Sequence, residues 1–283
     1  YILYGEFILV MCIFLMNSAD MHAHPDLGFL ISGQLAPLWG DTISIQTLEI
    51  AERIGWWGHI LVVFAFLNYL PYSKHLHILL AFPNTYYARL TPKGEMKNMP
   101  DIQKEVASMF DPSAAFAQPS ADAPMPKFGV ADVFDMHWTD ILSAYTCTEC
   151  GRCTAVCPAN LTGKKLSPRK IMMDTRDRID EMGRYLESGK SLADALATGN
   201  SLYSDQYISK EEIMACTTCN ACVEACPINI DPLSIIIQIR QYIAMEESAT
   251  PPAWTAMLQN IETSYSPWKF APTDRFNWAN DVK

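Results

Sequence analysis

Basic residues are almost missing from the first third of this 283-residue chain. Of its 21 lysines and arginines, only Arg53 and Lys74 precede residue 89. So little positive charge argues against a water-facing domain there and for a bilayer-embedded one. The net charge of −10 excludes a nucleic-acid partner, which needs a basic surface to meet phosphates. No Gly-rich nucleotide loop, general acid or nucleophile stands out, so nothing signals substrate chemistry within the chain. The start lacks a methionine, a basic n-region and a small-residue cleavage site, so Tyr1–Met16 does not read as a signal peptide. The expectation is the tail of a membrane helix, in a fragment whose earlier helices are missing.

What is present is cysteine in a strict pattern. Cys147, Cys150, Cys153 and Cys157 precede Pro158, and Cys216, Cys219, Cys222 and Cys226 precede Pro227. Both are the C-x2-C-x2-C-x3-C-P run of bacterial [4Fe–4S] ferredoxins. Three cysteines at three-residue steps wrap one corner of a cubane, and the fourth lies too far along to complete it. In two-cluster ferredoxins that fourth cysteine serves the other cluster. The spacing therefore assigns Cys147, Cys150, Cys153 and Cys226 to one cluster, and Cys216, Cys219, Cys222 and Cys157 to a second. Disulfides suit small secreted domains, and structural zinc uses paired C-x2-C units. A [3Fe–4S] centre would lack a ligand, and none is missing. Cluster chemistry implies a reducing compartment, the cytoplasm.

The fold class expected is mainly α: transmembrane helices at about 1–16 and 45–82, then an α-helical ferredoxin domain. Residues 1–88 form the membrane part, 89–128 a basic segment and Pro/Ala-rich linker, 129–249 the ferredoxin domain, and 250–283 a tail suited to docking a partner. Ile54–Leu70 is 17 residues without a formal charge, short for a span but extended on both sides. Trp56, Trp57, Tyr69 and Tyr72 stand near its ends as interfacial aromatics do. Asp20, Asp26 and Asp41 lie in the loop between the helices, whereas Arg89, Lys93 and Lys97 follow the second. The positive-inside rule then puts the ferredoxin domain in the cytoplasm.

His59 and His77 are 18 residues apart, about five turns and about 27 Å on one continuous helix. That spacing suits axial ligands of two stacked b-type haems. The other reading is interfacial histidines bonded to headgroups or carbonyls, and both stand. Pro71 lies between them and can kink the helix. His75 points roughly the opposite way and is the weaker candidate; His22 and His24 read as solvated, and Cys12 as packing. In the ferredoxin domain, Ser167-Pro168 and Asp231-Pro232 are cap-plus-proline helix starts, and Ser209-x-x-Glu212 is a capping box. Ile171, Met172, Ile179, Met182 and Leu186 recur at helical spacing, as do Ile235, Ile236, Ile239 and Ile243. Cys157–Leu161 is echoed by Cys226–Ile230. Arg152, Lys164, Lys165, Arg169 and Lys170 gather near the first run, either as a dock for an acidic partner or as a solvated face, the commoner case.

The chain resembles the membrane-bound iron–sulfur reductases related to heterodisulfide reductase and to electron-transfer-flavoprotein:menaquinone oxidoreductases. These join a nitrate-reductase-gamma-like haem b domain to an α-helical ferredoxin. The resemblance rests on Trp56-Trp57-Gly58-His59, Pro71 to His77, both cysteine runs, and Ser266-Pro267-Trp268 with Arg275 to Ala279. It implies one or two b haems on histidines placed like His59 and His77, with His75 a rival for the latter, and menaquinone as a redox partner. It further implies an electron-transfer subunit in a bacterial cytoplasmic membrane, with electron-transfer flavoprotein or other membrane subunits as partners. Many relatives carry a Cys-Cys-Gly domain. This sequence has no Cys-Cys pair, so the expectation is that such a domain sits on a separate subunit. The competing expectation is a membrane-anchored two-cluster ferredoxin adaptor with no haem or quinone site.

Overall fold

The computed structural model describes residues 2–26, 28–73, 75–110, 127–196 and 200–282. Most of the Pro/Ala-rich linker, residues 111–126, lies outside the described residues, as does Lys74 of the 71–77 motif. The described residues are helical, with no strand among them beyond an isolated bridge between Tyr203 and Ile208. The chain divides into two compact units, Tyr1–Leu79 and Leu80–Lys283.

The first unit is a helix pair. Helix α1 (Ile2–Ala23) runs seven residues past the expected end at 16, because nothing in Asn17–Ala23 breaks a helix before Pro25. His22 therefore sits in the helix, not in a loop, while His24 follows it with its ring nitrogen 2.9 Å from Asp20 Oδ1. Helix α2 (Ile45–Tyr69) starts at Ser44, whose hydroxyl accepts from the Thr47 N–H. Gly55 and Gly58 let the two helices close up. A Cβ on Gly55 would come within 2.7 Å of the Met16 nitrogen, and one on Gly58 within 2.9 Å of Cys12 Sγ. Small residues at such crossings allow the close backbone approach that apolar surroundings reward. Cys12 is thus a packing residue. The Trp39 indole N–H donates to Ser18 Oγ at 3.2 Å and closes the loop end of the pair.

Ile2–His22 and Ile45–Tyr72 are long and apolar enough to cross a membrane, and side chains such as Leu3, Phe7, Leu61 and Phe64 face outward. The second apolar segment is not the single helix expected over 45–82. It turns tightly through Leu70–Tyr72, is extended at Ser73, and resumes as α3 (Leu76–Tyr86). Pro71 lacks an N–H, and Ser73 bonds the Leu70 carbonyl through both its N–H and its hydroxyl.

The second unit holds α4 (Pro100–Phe110), α5 (Trp138–Thr146), α6 (Arg152–Ala155), α7 (Pro158–Leu161), α8 (Pro168–Glu187), α9 (Leu192–Leu196), α10 (Lys210–Ala215), α11 (Ala221–Glu224), α12 (Pro232–Met245) and α13 (Pro252–Ser264). The three expected caps form. Ser167 accepts from the Lys170 N–H, Asp231 from the Ser234 N–H, and Ser209 and Glu212 close a capping box. Each satisfies a donor that would otherwise be orphaned at the helix start, a contribution of about 1 kcal/mol. Ile235, Ile236, Ile239 and Ile243 all face the core of the unit, joined by Ile171, Met172, Leu202 and Ile213. Burying each such side chain contributes about 2 kcal/mol. The buried row of α8 differs from the expected one: Leu186 is exposed, and Thr175 and Arg178 take core positions. Arg178 can do so because Asp132, Glu181 and the Asn200 carbonyl all accept from its guanidinium. Gly129, at φ 75°, lies against α12, where a Cβ would clash with the Tyr242 nitrogen.

Candidate metal centre

Each cysteine run leaves a helix end, loops, and enters a one-turn helix. Cys147 caps α5 and Cys216 caps α10. In both loops the second and fourth residues after the first cysteine are left-handed: Glu149 (φ 55°) and Gly151 (φ 79°), Thr218 (φ 56°) and Asn220 (φ 60°). Gly and Asn tolerate this region and Glu and Thr do so rarely. Alternating hands make a concave nest of backbone N–H groups suited to negative charge. The repeat visible in the sequence is thus a repeat in backbone conformation as well. It is incomplete: Pro158–Leu161 forms a short helix, while residues 227–230 turn without one.

The loops bring the two runs together. One cleft is lined by Cys147, Cys150, Cys153 and, from the other run, Cys226, with Pro227, Ile228 and Ile230 as apolar walls. Cys216 in turn lies within electrostatic range of Cys157 as well as of Cys219. Cys157 and Cys222 are buried, whereas Cys150 and Cys219 are exposed. Burial pushes the Cys147, Cys153 and Cys216 thiols up, and burial with the charge of Cys216 pushes Cys222 up to about 12. Cys150 is held low by the Arg152 N–H. Dry sulfurs of this kind ionise only against a strong local positive charge, which the irons of a cluster provide.

Backbone and charge complete the surroundings. The Thr218 N–H donates to Cys216 Sγ at 3.4 Å, and the Ile230 N–H to Cys226 Sγ at 3.3 Å. Arg176 pairs with Glu149 of the first loop at 2.8 Å. Arg240 instead donates to two backbone carbonyls, Cys216 at 2.6 Å and Ile213 at 2.8 Å. The first run therefore has a neutralised arginine beside it, and the second an arginine bonded to carbonyls. Among the described residues, no three His, Cys, Asp or Glu side chains converge as they would on one metal ion. The fit to a cluster rests instead on Cys226 lining one cleft with Cys147, Cys150 and Cys153. Sequence reading missed Arg176, Arg240 and Asn84. Asn84, buried on α3, donates to the Ile228 carbonyl at 2.8 Å and accepts from Ser143 at 2.9 Å. Its one sequence signal is a polar side chain in an apolar run.

The histidines lie apart from this centre in the chain. The half-buried His59 ring places Nδ1 3.5 Å from the Leu9 carbonyl. His75 and His77 stack with ring centres 6.1 Å apart, and Phe66 meets His75 edge-on. His75 Nδ1 is buried with no hydrogen-bond partner among the described residues. The break after Tyr69 puts His59 and His77 on different helices. The whole-turn spacing argument, which assumed one helix, does not hold.

Residues 146–230 match the 4Fe-4S dicluster domain family. Along most of its length the chain is similar to "Probable iron-sulfur-binding oxidoreductase FadF" of Bacillus subtilis, 29% identical over 81% of this chain and 33% of that protein. It is also similar to the "EtfAB:quinone oxidoreductase" of Syntrophomonas wolfei, 25% identical over 85% of this chain and 33% of that one. A "Probable membrane-anchored ferredoxin" of Chromohalobacter salexigens is 34% identical over 57% of this chain and 25% of its own length. The chain thus spans a third or less of these relatives. No solved structure matches it. Together the cysteine geometry and these likenesses support 4Fe–4S binding and an electron-transfer role.

Proposed function

We propose that the chain is an electron-transfer subunit of a membrane oxidoreductase. In this reading electrons pass between a cytoplasmic redox partner, two [4Fe–4S] clusters, haem b and the menaquinone pool. Cys147, Cys150, Cys153 and Cys226 hold one cluster; Cys216, Cys219, Cys222 and Cys157 hold the other. When bound, the clusters supply one-electron transfer, and the protein's part is to hold, insulate and tune them. The buried core on α8 and α12 excludes water, and the sulfur-directed N–H groups of Thr218 and Ile230 favour the reduced, more negative state.

The observation that carries this reading is Cys226 of the second run sharing a cleft with three cysteines of the first. An electron-transfer flavoprotein as partner is suggested by the name of the Syntrophomonas relative. Two apolar helices and the basic Arg89, Lys93 and Lys97 support a multi-pass protein of the bacterial cytoplasmic membrane with its cysteine domain inside. For haem, the support is His59. An Nδ1–H bond to a carbonyl orients the ring and leaves Nε2 for a metal. His77, with His75 as rival, would serve the second position.

A second reading, a membrane-anchored ferredoxin adaptor without haem, is favoured by the Chromohalobacter relative and by the helix break between His59 and His77. A reduced-minus-oxidised spectrum of the intact membrane complex, titrated anaerobically with menaquinol, separates the two. A quinol-responsive b-type band supports the first reading. Iron and sulfide with no haem band leave the adaptor.

A further inference from the structure

The two cysteine runs differ in what surrounds them. Beside the second run, the chain's own charges are paired off by the segment that leaves α3. Arg89 meets Asp231 at 3.6 Å, Lys97 meets Asp140 at 3.1 Å, and Lys93 binds Glu224. Gly94 of the same segment lies close over Asn220, between Cys219 and Cys222. Cys219 is exposed, but its neighbourhood is electrically closed.

Among the described residues, the first run has no such cover. Arg152 and Arg169 are exposed and line its four-cysteine cleft, and the exposed Lys164 and Lys165 follow it closely in the chain. Among the described residues, Arg152, Lys164 and Arg169 have no acidic partner, and Lys165 has only Glu211 at the 4.0 Å limit. That pair is largely exposed on both sides and contributes little. Among these basic residues in the chain stand exposed apolar side chains, Leu161 at 70% and Val156 at 40%. The exposed Cys150 lies at the edge of the four-cysteine cleft, which Arg152 and Arg169 also line. An apolar centre with a charged rim is the anatomy of a protein–protein interface. In a chain of net charge −10, a local excess of unpaired positive charge steers a partner of opposite sign toward one face.

We propose that this face, rimmed by Arg152, Lys164, Lys165 and Arg169, is where an acidic electron-carrier protein docks and exchanges electrons with the centre held by Cys147, Cys150, Cys153 and Cys226. The proposal rests on the electron-transfer reading and adds the place and the partner's chemistry. On docking, one electron leaves the reduced carrier, which is thereby oxidised by one electron, and enters the four-cysteine centre. No bond forms or breaks.

The test uses the full chain in its membrane complex, with a reduced, strongly acidic flavodoxin as the probe and dithionite as the small-molecule control. Stopped-flow bleaching of the iron–sulfur absorbance gives both rates. The variant Lys164→Glu/Lys165→Glu lies away from the cysteines; a second carries Arg152→Glu and Arg169→Glu as well. The expected result is a flavodoxin rate that falls with salt and drops about tenfold or more in the charge-reversed variants, on the scale of electrostatic steering. The dithionite rate of Lys164→Glu/Lys165→Glu, which leaves the cleft-lining residues in place, stays unchanged. A Lys93→Glu control keeps the parent rate. Equal flavodoxin rates in parent and Lys164→Glu/Lys165→Glu, no reaction with flavodoxin at any salt, or an equal loss in the Lys93→Glu control would overturn the docking face. A parent with no iron–sulfur absorbance for dithionite to bleach would instead overturn the electron-transfer reading beneath it.

Discussion

Arg178 and Asp132 form a two-pronged ion pair inside the cysteine domain, with Nε to Oδ1 at 2.9 Å and Nη2 to Oδ2 at 2.6 Å. Arg178 is fully buried, and Asp132 also accepts from the Val133 and Leu202 N–H groups. The pair ties the entry segment of the domain to α8, the helix between the two cysteine runs. Removing Asp132 strips the two-pronged acceptor from a buried guanidinium and leaves it only Glu181 and the Asn200 carbonyl. Asp132→Ala is therefore expected to lower unfolding stability by about 3–5 kcal/mol, read by thermal or denaturant unfolding of the solubilised chain. A loss below about 1 kcal/mol, the range of a surface pair, would contradict it.

Gly129 gives a backbone version of the same argument. Its positive φ and its contact with the α12 backbone both exclude a side chain. Gly129→Ala is expected to cost roughly 2–4 kcal/mol, combining left-handed strain with displacement of α12. Gly163→Ala, with a similar φ but open space around it, is the comparison and should cost clearly less.

The capping box at α10 has a pH dependence with a definite sign. Burial pushes the Glu212 carboxyl up, but the Ser209 N–H and Lys170 more than offset this and hold it below the ordinary range. A depressed carboxyl contributes stability above its unfolded pKa, and that contribution is lost as pH falls through the folded value. Glu212→Gln should thus destabilise the chain by about 1–3 kcal/mol at pH 7. The difference from the parent should shrink below about pH 4. Unfolding curves of both proteins across pH 3–7 check this; a constant difference would refute the titration.

Arg240 places positive charge beside Cys216 with no carboxylate pairing it among the described residues, whereas Arg176 is matched by Glu149. Positive charge near a cluster stabilises its reduced form. Arg240→Gln should lower the reduction potential of one of two iron–sulfur signals and leave the other in place, in a titration followed by electron paramagnetic resonance. Equal shifts of both signals would contradict a local role.

The cysteine spacing, the three capping signals and the isoleucine row of α12 were legible because each is local: a cap or a turn is decided within four residues. Four features were not. Pro71 was legible as a possible kink, but whether the helix bends or stops depends on what Ser73 bonds. Arg178 is charged, and periodicity cannot foresee a buried arginine whose partners are 46 and 22 residues away. The left-handed turns at Glu149 and Thr218 are atypical for those residue types, although Gly151 and Asn220 mark the neighbouring positions. The neutralised Arg176 and the carbonyl-bonded Arg240 follow from tertiary contacts alone.

The central claim is that the two runs exchange their fourth cysteines. Its most direct test is Cys157→Ser, followed by electron paramagnetic resonance of the reduced membrane complex, with Arg240→Gln identifying which signal belongs to the second run. The account predicts that Cys157→Ser removes or alters the signal whose potential responds to Arg240→Gln and spares the other. Loss of the unresponsive signal alone would mean that Cys157 completes its own run's cluster, and the crossed arrangement would be wrong.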